Sequence, residues 1–132
     1  MNARSLDHLV LPTADLAVAR QRLTQLGFTV APDGVHPFGT KNACVYLADG
    51  TFIEPLAIAD QSAIDEAISA GNSFVAGDQR FRASQGQEGF SAVVVSTDNA
   101  EADRAEFSRL GIAGGPMVAF SRPTQDVSGK SD

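Results

Sequence analysis

The chain has 132 residues, a formal net charge of −6 and a pI near 4.7, and its length fits a single domain. The acidic balance argues against binding to the phosphate backbone of nucleic acids. No apolar run approaches the roughly 20 residues that a membrane span needs. A single cysteine excludes an intrachain disulfide, so nothing requires an oxidising compartment. We therefore expect a soluble, cytoplasmic protein with no nucleic-acid or membrane partner.

The first predicted element is a strand at 5–11, SLDHLVL, with a histidine in the middle of an apolar run. Alternate residues of a strand share a face, so His8 lies on the same face as Leu6 and Val10. An imidazole on an apolar face is either a half-buried histidine bonded to a neighbour or part of a site, and the strand alone does not decide between them.

An amphipathic helix and three strands follow. Thr13 or Asp15 offers the N-cap of the helix, and Gly27 offers the left-handed residue that ends it. The Asp49-Gly50 pair predicts a hairpin turn between the last two strands. The predicted strands are FTVAP (28–32), ACVYLA (43–48) and TFIEPLAI (51–58).

The second half begins with a helical pattern over 61–82 and a polar linker at 85–89. A strand near 90–97, a further helix and a strand at 116–123 complete the predicted elements. The remaining tail is polar, and we expect it to be loose.

An internal repeat organises these elements. Residues 6–30 align with residues 90–114 at a constant offset and without a gap, so that Leu26-Gly27 matches Leu110-Gly111. A strand, a helix cap, an amphipathic helix and a terminating glycine recur in the same order. The chain therefore reads as a duplicated βαβββ unit whose second copy lacks the sequence for its last two strands.

With this duplication the chain resembles the vicinal oxygen chelate superfamily, which includes glyoxalase I, extradiol dioxygenases and bleomycin-resistance proteins. Within it, the chain is most similar to glyoxalase-like domain proteins. The resemblance implies an α+β fold in which paired βαβββ modules, each with strand order 1-4-3-2, form a cupped mixed sheet around a small-molecule site. The stretches that carry it are LDHLVLPTADLAVARQRLTQLGFTV, HPFGTKN, TFIEPLAI, and GFSAVVVSTDNAEADRAEFSRLGI followed by FSRP.

The same resemblance divides one structural domain into three parts. The first module occupies 1–60, a helical linker 61–88, and an incomplete second module with its tail 89–132. The strands of the second module lack partners in such a sheet, and unpaired edges favour association. We expect a fragment of a longer protein, with a homodimer that exchanges strands as the consequence.

The resemblance also implies a site for a divalent metal such as Zn, Ni, Mn or Fe. His8 on the first strand and Glu54 on the fourth match two ligand positions, and the order 1-4-3-2 makes these strands neighbours. The third ligand position is Ala92, which has no donor atom, and the fourth would lie on a strand that the chain does not contain. A complete metal site is therefore not expected within one chain. Because burying an isolated carboxylate is costly, Glu54 is also the candidate catalytic residue.

The loop VHPFGTKN (35–42) supplies the candidate substrate contacts His36, Thr40 and Asn42. Each also has a plainer interpretation, since His36 could be a surface histidine and the other two could cap the loop. Elsewhere we interpret Cys44 as a core residue, and Arg80 with Arg82 as a solvated helix face.

Two functions are compatible with these residues, and whether the protein is an enzyme stays open. The first is a lyase-like or dioxygenase-like glyoxalase relative, or a relic of one, that uses a metal to stabilise an enolate and a carboxylate to move the proton. The second is a metal-free protein that binds or sequesters a small oxygenated molecule, and Ala92 favours it. A third, plainer alternative is a dimerisation module with no ligand.

Overall fold

A computed structural model of the chain describes residues 3–121. No helix in this range is long and apolar enough to cross a membrane. The α+β class is confirmed. The elements in chain order are β1 (Leu6–Pro12), α1 (Leu16–Gln25), β2 (Gly34–Val35), β3 (Thr40–Asn42), β4 (Val45–Tyr46), β5 (Phe52–Ile58), α2 (Gln61–Ser69), α3 (Ser73–Gln85), β6 (Ala92–Val95) and α4 (Ala100–Arg109).

The strands form one mixed sheet in the order β2-β3-β5-β1-β6, and β4 also pairs with β5. β5 is parallel to β1 and antiparallel to β3 and β4. With β3 and β4 taken as two halves of one strand, the first module has the order 1-4-3-2 that the resemblance implied. β1 and β6 pair antiparallel and join the two modules.

The two helices of the repeat begin and end in the same way. Asp15 caps α1 and Asn99 caps α4, and each side chain accepts a hydrogen bond from the backbone N–H three residues further on. Gly27 and Gly111 follow the two helices with φ of 99° and 73°, a conformation that glycine adopts without strain. The duplication inferred from the sequence is thus present as repeated local structure.

A pseudo-two-fold relation runs through the β1–β6 pair. Leu9 lies opposite Val93, and these two residues are themselves equivalent in the repeat. His8 lies opposite Val94, and Val10 lies opposite Ala92. The repeat thus places an alanine where the first module carries its histidine.

The apolar side chains of the second module are much less buried than those of the first. In the first module Leu16 of α1 is buried against Ala43 and Ala57 on the sheet, whereas α4 contains no buried residue. Val93 of β6 is 70% exposed. Within residues 3–121, no strand follows α4 to cover this apolar layer.

Two strand predictions in the first module were wrong in their bounds. Segment 28–32 is not a strand, and β2 begins only at Gly34; the segment touches the sheet through Ala31, whose N–H donates to Cys44 O at 2.8 Å. Segment 43–48 is not one continuous strand. The strand stops at the end of β3 and resumes as β4, which covers only Val45–Tyr46. The break lies beside Pro55 of β5, which has no N–H to donate to the ladder.

The predicted strand at 116–123 was also wrong over its described part. Residues 116–121 are irregular and do not pair with β6, which is the edge strand of the sheet. They cross instead to the first module, where Ser73 Oγ donates to Pro116 O at 3.2 Å and the Phe120 ring lies 5.0 Å from that of Phe38. Residues 122 and 123, and the tail that we expected to be loose, fall outside the described residues.

Arg82 does not belong to a solvated face. It is 6% exposed, and its Nε donates to Asp78 Oδ2 at 2.8 Å within α3. Its two terminal nitrogens donate to Thr13 O at 3.1 Å and to Leu56 O at 2.8 Å. The guanidinium therefore ties α3 to β5 and to the residue that follows β1. The helical pattern predicted a surface position for Arg82. Periodicity within a helix carries no information about which backbone carbonyls of the sheet lie beside that helix.

Candidate functional site

The register of β1 on β5 places the two polar residues of the apolar face together. His8 is paired with Phe52, and Val10 is paired with Glu54. His8 Nε2 lies 3.7 Å from Glu54 Oε1, and the imidazole stacks on the Phe52 ring at 4.3 Å. The expectation that His8 and Glu54 lie side by side therefore holds in the structure.

The loop before β3 brings a second imidazole to the other side of the same carboxylate. His36 Nε2 lies 3.8 Å from Glu54 Oε2, and Asn42 Nδ2 donates to that oxygen at 2.7 Å. His36 Nδ1 and Thr40 Oγ1 are 2.8 Å apart. Glu54 is only 7% exposed, and the hydrogen bond from the Asn42 amide partly compensates its charge.

A glycine allows this loop to reach the site. Gly39 has a φ of 98°, and a Cβ at this position would lie 2.5 Å from Asp60 O. Its own carbonyl accepts hydrogen bonds from the N–H groups of Ala59 and Asp60 at 2.9 and 3.0 Å. The close approach to the start of α2 fixes the loop between the strands and holds His36 in place.

A cavity of about 630 Å³ lies over these groups, within the size range of small-molecule sites. β6 contributes Val94, and the irregular segment after α4 contributes Val118 and Phe120. The polar groups and the aromatic rings that form its walls are His8, His36, Glu54, Phe52, Phe74 and Tyr46. Cys44 is buried, as expected, and it also lies at the cavity wall.

The structure places Thr40 and Asn42 behind this layer. They are 0% and 2% exposed, and their polar atoms contact His36 and Glu54. In this arrangement they support the groups that face the cavity. Of the candidate substrate contacts in the loop, His36 is the one that lines it.

The donor atoms present do not fit the four-ligand metal site of the superfamily. Among residues 3–121 no group of three or more His, Cys, Asp or Glu side chains is placed to hold a metal ion. Glu54 turns one oxygen to each imidazole. At the third ligand position Ala92 presents only a methyl group opposite Val10. The described side chains therefore do not provide the donor set of that site.

Sequence reasoning missed several residues around the site, among them Asp7 and Phe120. Asp7 Oδ2 lies 2.6 Å from His8 Nδ1, although strict alternation puts adjacent residues on opposite faces. The β1–β6 register shifts between Leu6 and His8, and this irregularity brings the Asp7 side chain round to the ring. Phe120 reaches the His36 ring at 5.4 Å from a segment predicted to be a strand. The local sequence does not predict the position of either side chain.

Comparison with known proteins agrees with this architecture. A family model described as glyoxalase-like domain matches residues 6–131. No curated protein matches the sequence.

Solved structures with the same fold are similar at low sequence identity. A hypothetical protein from Staphylococcus aureus has a TM-score of 0.61 at 17% identity over 80% of this chain, and the chain spans only 41% of that protein. A hypothetical protein from Bacillus halodurans has a TM-score of 0.60 at 17% identity, with coverage of 98% of this chain and 82% of that one.

A third similar structure is a methylmalonyl-CoA epimerase variant from Streptomyces coelicolor in complex with 2-nitronate-propionyl-CoA. Its TM-score is 0.55 at 18% identity, with coverage of 98% of this chain and 83% of that one. At these identities the structural likeness establishes the vicinal oxygen chelate fold. Since the family match spans nearly the whole sequence and the strand order agrees with it, the chain belongs to the glyoxalase-like domain family.

Proposed function

We propose that the chain binds a small oxygenated molecule in the cavity over Glu54, and that the Glu54 carboxylate moves a proton on that molecule. One observation carries the proposal. A carboxylate only 7% exposed opens onto an aromatic-walled cavity between two imidazoles at 3.7 and 3.8 Å. Burying a carboxylate costs free energy, and buried ionisable groups that open onto a cavity are concentrated at functional sites, which supports a use in binding or chemistry.

The chemistry that suits these groups is proton transfer next to a carbonyl. Glu54 takes a proton from the carbon beside the carbonyl, the C–H bond breaks, and its electron pair becomes part of an enolate. The same proton, or one delivered through an imidazole, then returns to carbon or oxygen. A carboxylate with nearby imidazoles provides the acid and base groups that such a step needs.

Deuterium exchange into hydroxyacetone, a small α-hydroxy ketone, tests the proposal. In D₂O the wild-type chain should speed the loss of the hydroxymethyl proton signal, and Glu54→Gln should lower the rate by about 10²–10⁴-fold. Glu66→Gln, which changes an exposed carboxylate on α2, is the matched control and should keep the wild-type rate. Equal rates in the two variants would remove Glu54 from the reaction.

A second candidate is a binding protein that performs no chemistry. The methyl group of Ala92 at the third ligand position and the aromatic walls of the cavity favour it. Binding without exchange, with Glu54→Gln leaving the affinity unchanged, would support this candidate over the first.

The resemblance also suggests a version of the site with a divalent metal on His8 and Glu54. Two protein ligands are fewer than the three usual at catalytic zinc, so such a site would be weak and rich in water. Elemental analysis for Zn, Ni, Mn and Fe, before and after His8→Ala, tests it. Metal at less than one-tenth of the protein concentration in both samples would exclude this version.

The proposal also includes an oligomeric state, which follows from the exposed apolar side chains of the second module. The second module exposes apolar side chains on β6 and beyond α4, including Val93, Leu110 and Ile112. β6 is also at the edge of the sheet, where a second strand can pair. We expect a second copy of the chain to cover this layer in a homodimer. Strand exchange and the division of the chain at residues 60 and 88 stay predictions.

A further inference from the structure

We propose that Asp7 is a positioning residue, which holds His8 with Nδ1 protonated and with Nε2 facing Glu54 and the cavity as a proton acceptor. The inference rests on the proposed function for its catalytic consequence. The tautomer itself is independent of that function and can be measured separately.

The first step of the argument is the contact between the two side chains. His8 Nδ1 lies 2.6 Å from Asp7 Oδ2, which is hydrogen-bond distance. An ionised carboxylate can only accept, so Nδ1 must carry the hydrogen. In the neutral imidazole this leaves Nε2 without a hydrogen. Since Nε2 is the atom 3.7 Å from Glu54 Oε1, the acceptor is on the side of the cavity.

The second step is the backbone irregularity that makes the contact possible. Leu6 pairs with Val95 and His8 pairs with Val94, so Asp7 is the extra residue of a bulge in β1. A bulge redirects the side chain of the extra residue, and here it brings Asp7 beside the His8 ring. The Asp7 side chain is 47% exposed, while that of His8 is 16% exposed. The pair therefore connects a half-exposed carboxylate with a nearly buried imidazole.

The third step is an internal comparison supplied by the repeat. The residues equivalent to Asp7 and His8 in the second module are Ser91 and Ala92. The second module keeps the strand, the helix caps and the terminating glycine but lacks both members of the pair. The Asp7–His8 contact is thus dispensable for building this element, since the second module forms it with neither residue.

The proposed consequence is a route for the proton. His8 Nε2 and Glu54 both line the cavity, so a proton that Glu54 takes from a ligand can pass to Nε2. The resulting imidazolium is then stabilised by the Asp7 carboxylate at Nδ1. At 3.7 Å the His8 and Glu54 atoms are beyond hydrogen-bond distance, so the transfer requires a small approach of the two side chains or a ligand hydroxyl between them.

Nitrogen NMR of the 132-residue chain tests the tautomer. The chain has two histidines, so a long-range ¹H–¹⁵N spectrum contains two imidazole patterns, and His8→Ala identifies that of His8. The wild type should show a protonated Nδ1 and an unprotonated Nε2. Asp7→Ala should move the hydrogen to Nε2, the preferred position in an unconstrained imidazole, and Asp7→Asn should keep it on Nδ1 because the amide oxygen still accepts.

Hydroxyacetone exchange provides the second measurement. Asp7→Ala should lower the maximal exchange rate, by at most the roughly 10²–10⁴-fold that a positioned acid–base group contributes, with little change in the hydroxyacetone concentration for half-maximal rate. Asp7→Asn should recover part of the rate. Asp98→Ala, which removes an exposed carboxylate beyond β6, should leave both the tautomer and the rate unchanged.

The outcomes separate the two proposals. A His8 pattern in Asp7→Ala that still shows a protonated Nδ1 would overturn the positioning role. The same holds if Asp7→Ala exchanges hydroxyacetone at the wild-type rate while the wild type is active. If the tautomer shifts as expected but no variant, including the wild type, exchanges hydroxyacetone, the positioning role stands and the proposed proton transfer fails.

Discussion

At the scale of single residues, the Glu54 carboxylate accepts a buried hydrogen bond from Asn42. The amide is 2% exposed, and it donates to Oε2 at 2.7 Å. Removing a donor from a buried charged acceptor costs more than the bond itself contributes, because the acceptor remains desolvated.

Asn42→Ala should therefore lower the free energy of unfolding by about 1–3 kcal/mol, measured by urea denaturation at neutral pH. The loss should be smaller in a Glu54→Gln background, since the remaining acceptor is neutral. Equal losses in both backgrounds would mean that the Asn42 amide stabilises something other than the Glu54 charge.

His8 and Glu54 could be predicted as neighbours because each is a polar residue on an apolar strand face and the strand order is a property of the fold. Asp7 could not be predicted, because its position depends on the pairing register of β1 with β6. The role of Thr40 and Asn42 behind His36 and Glu54 depends likewise on how the loop packs, which the loop's composition does not specify.

At the scale of elements, the hairpin between β4 and β5 contains a titratable turn. Thr51 donates to Asp49 Oδ1 through its hydroxyl at 2.6 Å and through its backbone N–H at 3.0 Å. These bonds, the hydroxyl bond first, lower the pKa of Asp49. Because the pKa of Asp49 is lowered in the folded state, the turn contributes to the free energy of unfolding at neutral pH. This contribution is lost as the pH falls through the pKa of Asp49.

Thr51→Val should consequently raise the pKa of Asp49 towards its ordinary value, because the stronger of the two bonds is removed. Carboxyl ¹³C NMR titration of the folded protein measures this directly. An unchanged Asp49 pKa in Thr51→Val would show that the hydroxyl does not hold the charge.

The attachment of α3 rests on a buried ion pair. Asp78 and Arg82 are 5% and 6% exposed, and within the described range Asp78 Oδ1 is the buried side-chain atom that lacks a hydrogen-bond partner. Arg82→Met should lower the free energy of unfolding by about 3–5 kcal/mol because it leaves the Asp78 charge buried and unpaired.

Two comparison variants make this prediction specific, with unfolding again followed in urea. Adding Asp78→Asn should restore part of the stability, since the unpaired charge is then gone. Arg109→Met breaks an exposed pair with Glu106 and should change stability little. A loss as large in Arg109→Met as in Arg82→Met would contradict the account.

Helices and long strands could be predicted from the sequence because caps, periodicity and terminating glycines act locally. Asp15 and Gly27 are examples, and both are confirmed. The short strands could not be bounded, since the break between β3 and β4 lies beside Pro55 on a different strand. Residues 116–121 have the composition of a strand, but they cross to the first module instead of pairing with the edge strand β6.

At the scale of the whole molecule, the exposed layer of the second module determines the expected assembly. Val93→Glu places a charge on the most exposed of the β6 valines and should shift the protein from dimer to monomer in sedimentation equilibrium. Val18→Glu places the same charge at a valine of α1 that is 42% exposed and should leave the dimer intact. A wild-type monomer at high protein concentration would contradict the proposed dimer.

The central claim is that Glu54 performs proton transfer in the cavity between the modules. Its most direct test is the ratio of hydroxyacetone exchange rates in Glu54→Gln and Glu66→Gln at saturating hydroxyacetone, with the binding of hydroxyacetone to both variants confirmed by NMR. The account predicts a ratio of about 10⁻² or below. A ratio near one, with both variants folded and binding hydroxyacetone, would contradict it.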